Sequence, residues 1–83
     1  MTDNIIEQMV ASDKMARDFG FEWPNVQMII DYAISECREI ASAIYEQESA
    51  QRIQEEIGDL LHVAISLCIF AGFNVEQTLN KAD

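Results

Sequence analysis

Residues 24–46 and 49–71 each carry apolar side chains at steps of three and four, and only Glu46-Gln47-Glu48-Ser49 lies between the two periodic runs. In the first the stripe is Val26, Ile29, Ile30, Ala33, Cys37, Ile40, Ala41 and Ile44. In the second it is Ile53, Ile57, Leu60, Leu61, Ala64, Leu67, Cys68 and Ala71. Spacing of this kind predicts amphipathic helices. A polar turn this short makes them antiparallel neighbours. Residues equally far from the turn then stand at equal heights, because each residue advances an α-helix by about 1.5 Å.

The rest of the chain reads the same way. Ile5, Ile6, Met9, Val10 and Met15 give residues 3–18 a near-helical pattern, with Asp3 and Asn4 suited to its start. Gly20 stands where that helix stops. Phe21-Glu22-Trp23-Pro24 is an aromatic loop, with Pro24 suited to the first turn of the next helix. Gly72 ends the third helix, and Asn74 with Gln77 forms a capping box for a short fourth one. Alternating runs and hairpin turns are missing from the sequence, as are internal repeats. The expectation is an all-α antiparallel bundle of three main helices and a short C-terminal helix, a single domain over 1–83. A chain of 83 residues buries only about 60–65% of its unfolded surface. Its stripes are wider than one small bundle covers, so assembly as an oligomer is expected.

The sequence holds fifteen acidic residues against five basic ones, a net charge of -10. Phosphate backbones and anionic lipid surfaces need basic partners, so neither nucleic acid nor a membrane is an expected partner. There is no apolar run long enough to span a bilayer and no cleavable leader pattern. A cytoplasmic setting is expected, with Cys37 and Cys68 as reduced thiols in the core.

The acids concentrate between Asp31 and Asp59. Glu36 and Glu39 are three residues apart on one helix, and Glu56 and Asp59 three apart on the next, so each pair shares a face. Both pairs border their apolar stripes and lie about 8–11 residues from the turn, which puts them at one level. Two carboxylates about 4 Å apart repel by about 4 kcal/mol at an effective dielectric near 20. Two readings fit this spacing, a solvated acidic face and a cation site of hard oxygen donors suited to Mg²⁺ or Mn²⁺. Gly58, between Glu56 and Asp59, interrupts a helix at a cost of about 1 kcal/mol relative to alanine. Its place fits either a close-approaching ligand or a tight helix crossing.

These residues resemble the MazG-like nucleotide pyrophosphohydrolases, whose motif is E-E-x-x-E followed, after a spacer, by E-x-x-D. Ser35-Glu36-Cys37-Arg38-Glu39 is similar to the first half and Glu56-Ile57-Gly58-Asp59 to the second. Gly20-Phe21-Glu22-Trp23-Pro24 is similar to the segment that leads into many MazG domains, and the likeness spans about 20–82. The resemblance implies a helical bundle assembled as a homodimer or dimer of dimers. It implies cleavage of a nucleoside triphosphate between its α and β phosphates, giving a monophosphate and pyrophosphate. It implies Mg²⁺, with Mn²⁺ as a substitute, held by Glu36, Glu39, Glu56 and Asp59, which are then also the catalytic set.

The chain departs from the family pattern at Ser35, where relatives have an acid, and at Tyr32, where many have lysine. It departs again at Ser66 and Ile69, where asparagine and arginine are common, and no basic tail precedes Asp83. A module that keeps the fold and binds metal or nucleotide with weak or no turnover, or serves as an interaction element, is the alternative. Phosphoribosyl-ATP pyrophosphohydrolases share the acid motif but have a tyrosine–histidine pair after the aspartate, and His62 stands one residue too early for that.

Other residues carry two readings each. Trp23 suits stacking on a base or anchoring a loop, and His62 suits a metal ligand or a core edge. Arg38 suits phosphate contact or a surface ion pair with its neighbouring acids, and Arg52 is a further base near them. Lys81 and Asn80 lie where the family's last helix approaches substrate. Met9, Met15 and Met28 suit the core or an interface.

Overall fold

The computed structural model describes residues 4–82. Four helices follow in order: α1 (Ile5–Asp18), α2 (Val26–Tyr45), α3 (Ala50–Phe70) and α4 (Val75–Lys81), with no strand among the described residues. Asn4, Asn25, Ser49 and Asn74 cap the four N-termini. Their side-chain oxygens accept from the backbone N–H of Ile6, Met28, Arg52 and Gln77 at 2.8, 3.0, 3.2 and 2.9 Å. Each bond satisfies one N–H that the first turn leaves without a helical partner. The Asn74 half of the expected capping box is thus in place. Pro24 falls before the Asn25 cap rather than inside the first turn of α2. Asp3 lies outside the described residues.

The first three helices end in one way. Phe21 N–H reaches back to Ala16 O, Glu48 N–H to Ala43 O and Phe73 N–H to Cys68 O, at 2.9, 3.0 and 3.1 Å. The residue before each donor turns to positive φ: Gly20 at 92°, Gln47 at 58° and Gly72 at 88°. This C-terminal motif favours glycine, and α2 uses a glutamine there.

The α2–α3 hairpin is the main packing unit, with α3 as the hub. α1 and α4 pack on α3 and on each other, and neither reaches α2. Along α2 the line facing α3 holds buried Ile29, Glu36 and Ala43, with Ala33 and Ile40 half-buried between them. Along α3 it holds Ile53, Glu56, Leu60, Val63 and Leu67. Ile29 is fully buried, whereas α1 has no buried residue.

The other half of each stripe is bare. Ile30, Ile34, Cys37 and Ala41 flank an open cleft with Leu67, and Ile44, Tyr45, Ile57, Leu61, Phe19 and Phe21 are exposed. The Cα radius of gyration is 14.1 Å, against about 12 Å for a compact chain of this length.

One expectation is corrected here and two are narrowed. Cys37 is exposed rather than in the core, and Cys68 is half-buried with its Sγ 3.3 Å from Thr78 Oγ1. Of the three methionines given a core or interface reading, Met9 is half-buried, while Met15 and Met28 are exposed on the single chain and keep the interface reading. A Cβ at Gly58 would meet nothing within 4 Å, so no helix or loop of this chain crosses closely there.

Candidate metal centre

The seam between α2 and α3 is a place for leucines, yet glutamates occupy its middle. Glu36 is 5% exposed and Glu56 9% exposed. They lie on facing helices, each seven positions from a buried residue, Ile29 on α2 and Val63 on α3. Equal heights in the hairpin therefore bring the two carboxylates together, and Asp59, one turn further along α3, joins them. One carboxylate oxygen from each of Glu36, Glu56 and Asp59 lies within 4.8 Å of the others.

Electrostatics follow from that placement. Burial pushes the Glu36 carboxyl above its ordinary value of 4.5, and the charges of Glu39, Asp59 and Glu56 push the same way. Burial also raises Glu56, with Glu39 and Asp59 adding to it. Arg52 opposes the rise, its guanidinium 3.7 Å from Glu56 Oε2. That guanidinium also meets Glu55 at 3.1 Å and Glu48 at 3.7 Å. Glu36 Oε2 is buried and has no hydrogen-bond partner. A buried acceptor of this kind is costly when left alone, and a cation satisfies it. Three hard oxygen donors within one small space, with an orphaned oxygen on Glu36, fit a divalent cation such as Mg²⁺ or Mn²⁺.

The remaining candidates scatter. Glu39 is exposed on α2 and stands outside the tight trio, close enough to raise both Glu36 and Glu56. Trp23 is half-buried against Tyr32, and the two flank a cleft that also includes Asp59 and His62. Arg38 borders the apolar cleft on α2, and no ion pair forms between it and Glu36 or Glu39. Asn80 and Lys81 are exposed at the end of α4, a helix that does not touch α2. Within one chain they are not gathered with the carboxylates.

The family model for the MazG nucleotide pyrophosphohydrolase domain matches residues 25–82, more than half of the chain. The chain belongs to the MazG family. No curated protein and no solved structure matches it. The matched span of this MazG domain begins at the Asn25 cap and contains the whole α2–α3 hairpin with its carboxylates, while α1 lies before it. No single helix among the described residues of the MazG chain is long and apolar enough to cross a membrane.

Sequence reasoning missed the partnership of Asp13 and Ser66. Ser66 Oγ donates to Asp13 Oδ1 at 3.0 Å across the α1–α3 contact. Met9, Val10 and Asp13 fall at helical steps on α1, so Asp13 marks the apolar face of that helix, a signal the sequence did contain.

Proposed function

We propose that this chain is a metal-dependent nucleoside triphosphate pyrophosphohydrolase that releases a nucleoside monophosphate and pyrophosphate. The observation that carries the reading is the carboxylate trio at the centre of the helix seam of a MazG domain. Glu36, Glu56 and Asp59 would hold Mg²⁺, or Mn²⁺ in its place, with Glu39 as the fourth acid. When bound, the metal supplies charge neutralisation to phosphate oxygens and acidifies water. The chain's own residues bind and orient. The apolar seam fixes the Glu36 and Glu56 side chains from both sides. Exposed Asp59 and Glu39 form the rim at which the triphosphate arrives. A carboxylate of the rim takes the proton of the attacking water as the bond between the α and β phosphates breaks. A protein of net charge -10 repels a polyanion, so the reading requires the cation for binding as well as for turnover.

The working form in this reading is a homodimer or a dimer of dimers. The bare apolar half of α2 and the open outline of the single chain support it. Light scattering in solution tests it, and a monomer at micromolar concentration rejects it.

A second reading, a module that binds metal or nucleotide without turnover, has one observation in its favour. Arg38, Asn80 and Lys81 do not converge on the carboxylates. Arg52, the base paired to Glu56, is committed to acids. Product analysis separates the two. The protein is incubated with ribo- and deoxynucleoside triphosphates, with Mg²⁺, with Mn²⁺ and with chelator. Metal-dependent monophosphate and pyrophosphate establish the enzyme. Diphosphate and phosphate mean different chemistry, and binding without product favours the module.

A further inference from the structure

Next to the carboxylates, Trp23, Tyr32, Asp59, His62, Val63 and Ser66 line an open cleft of about 310 Å³. Asp59 belongs both to this cleft and to the carboxylate trio, so an occupant of one abuts an occupant of the other. One wall is aromatic: the Trp23 and Tyr32 rings meet edge to face, 5.6 Å between centroids and 81° between planes. Aromatic side chains lining a cleft are suited to stacking on planar bases. The opposite wall is one face of α3, with Asp59, His62, Val63 and Ser66 at steps of three and four.

The polar chemistry of that wall is fixed from behind. Ser66 Oγ donates its single proton to Asp13 Oδ1 at 3.0 Å. Asp13 Oδ2 in turn accepts from Arg17 Nε at 3.2 Å, and the Asp13 side chain is only 17% exposed. A carboxylate held this way is an acceptor, and a serine hydroxyl has one hydrogen to give. Ser66 therefore has only lone pairs left for the cleft. Neutral His62 offers one donor and one acceptor and can turn either to a neighbour, so it does not discriminate.

We propose that this cleft receives the base of the nucleotide, and that Ser66, its proton held by Asp13, selects an amino-bearing base edge. Cytosine and adenine are favoured over their keto counterparts uracil and hypoxanthine. The proposal rests on the nucleotide reading of the adjacent carboxylates. An exocyclic amine donates to the Ser66 lone pair. A keto oxygen in its place meets another acceptor. Turning the Ser66 hydroxyl to satisfy it strips a partner from the Asp13 carboxylate, and hydrogen bonds to charged groups are the more costly ones to lose.

The test uses matched monophosphates that differ only at this edge, so it needs no turnover. Binding of CMP and UMP, and of AMP and IMP, is followed by NMR titration of the full chain with Mg²⁺ present. CMP is expected to bind about tenfold more tightly than UMP, and AMP than IMP, a difference of about 1.4 kcal/mol. Ser66→Ala brings both ratios to about one, whereas Ser66→Thr, which keeps the hydroxyl, retains them. Equal affinities in the wild type, Ser66→Ala with the wild-type ratios, or no binding of any monophosphate at millimolar concentration each overturn the proposal. Triphosphate hydrolysis is scored separately. Hydrolysis without an amino preference sinks the base assignment alone, and the preference without hydrolysis sinks the pyrophosphohydrolase reading alone.

Discussion

The α2–α3 hairpin and the α1–α4 flank are built from helices capped by the same means, yet they bury different things. The hairpin seam buries Ile29, Ala43 and Val63, and places Glu36 and Glu56 among them. The flank buries little: α1 has no buried residue, and α4 contributes Val75. α1 is held by half-buried apolar contacts, by the Ser66–Asp13 link to α3, and at its cap by Asn4, whose amide donates to Glu76 at 3.5 Å. Within a single chain, then, most of the core lies in the hairpin, and the candidate metal centre occupies its middle. The buried core and the proposed metal site are concentrated in the same two helices, while the flank shapes what lies beside them.

The sharpest way to break this contrast is to remove one carboxylate without removing its volume. Asp59→Asn is expected to lower pyrophosphohydrolase turnover by roughly 10²–10³-fold or more, the scale seen when a charge-stabilising group is lost. Circular dichroism should remain that of the wild type, because Asp59 is exposed. Wild-type turnover in this variant would remove Asp59 from the site.

The packing side of the contrast is tested by truncating one residue in each region. Ile29→Ala should cost about 2–5 kcal/mol, the usual range for a fully buried aliphatic side chain. Met15→Ala, on exposed α1, should cost within about 0.5 kcal/mol. Equal losses in chemical denaturation would mean that α1 has a buried environment in solution, as a second copy would provide.

Metal and pH both act on the hairpin. Mg²⁺ or Mn²⁺ at 100 times its dissociation constant should add about 2.7 kcal/mol of stability. Without metal, Glu36 and Glu56 have folded-state pKa values above their ordinary 4.5. The stabilisation they give is complete below the unfolded value and is lost as pH rises through the raised ones. The metal-free melting temperature is therefore expected to fall with rising pH across that window. The fall should be shallower in Glu36→Gln. Added metal should reverse it, since metal and proton compete for the same oxygens. A slope unchanged by Glu36→Gln would show that Glu36 does not titrate as its surroundings dictate.

The smallest expected effect lies at the turn. Gln47 adopts φ 58°, a region where glycine has no Cβ penalty. Gln47→Gly should stabilise the hairpin by about 0.5–1 kcal/mol in thermal denaturation, and a loss of stability would mean that the Gln47 side chain makes a contact in solution.

Much of this was legible in the sequence. The run expected over 24–46 is α2 at Val26–Tyr45, and that over 49–71 is α3 at Ala50–Phe70, because caps and glycines are local signals. The convergence of Glu36, Glu56 and Asp59 was legible too, since a short turn fixes relative heights. The rotation of each helix was not. A stripe with steps of three and four is wider than a seam, and either half of it could have faced α3. Counting Glu36 as polar put it at the edge of the stripe, whereas the structure puts it in line with Ile29 and Ala43. Sequence alone leaves Gly58 open to a helix crossing or a ligand, and the open space beside it removes the crossing. The Asp13–Ser66 link joins residues 53 apart, and no local pattern announces such a pair.

The position of two glutamates in an apolar seam also sets the direction in which this domain drifts when its chemistry is not required. Leucine or methionine at Glu36 or Glu56 would suit the surroundings better than a carboxylate does, so the metal-free fold tightens when the site is lost. Heat selection in the presence of chelator, with no demand for turnover, should therefore enrich substitutions at these two positions. The same selection run with abundant metal should retain them. Thermal hardiness and the capacity to hold a cation are, in this hairpin, alternative uses of the same few cubic ångströms.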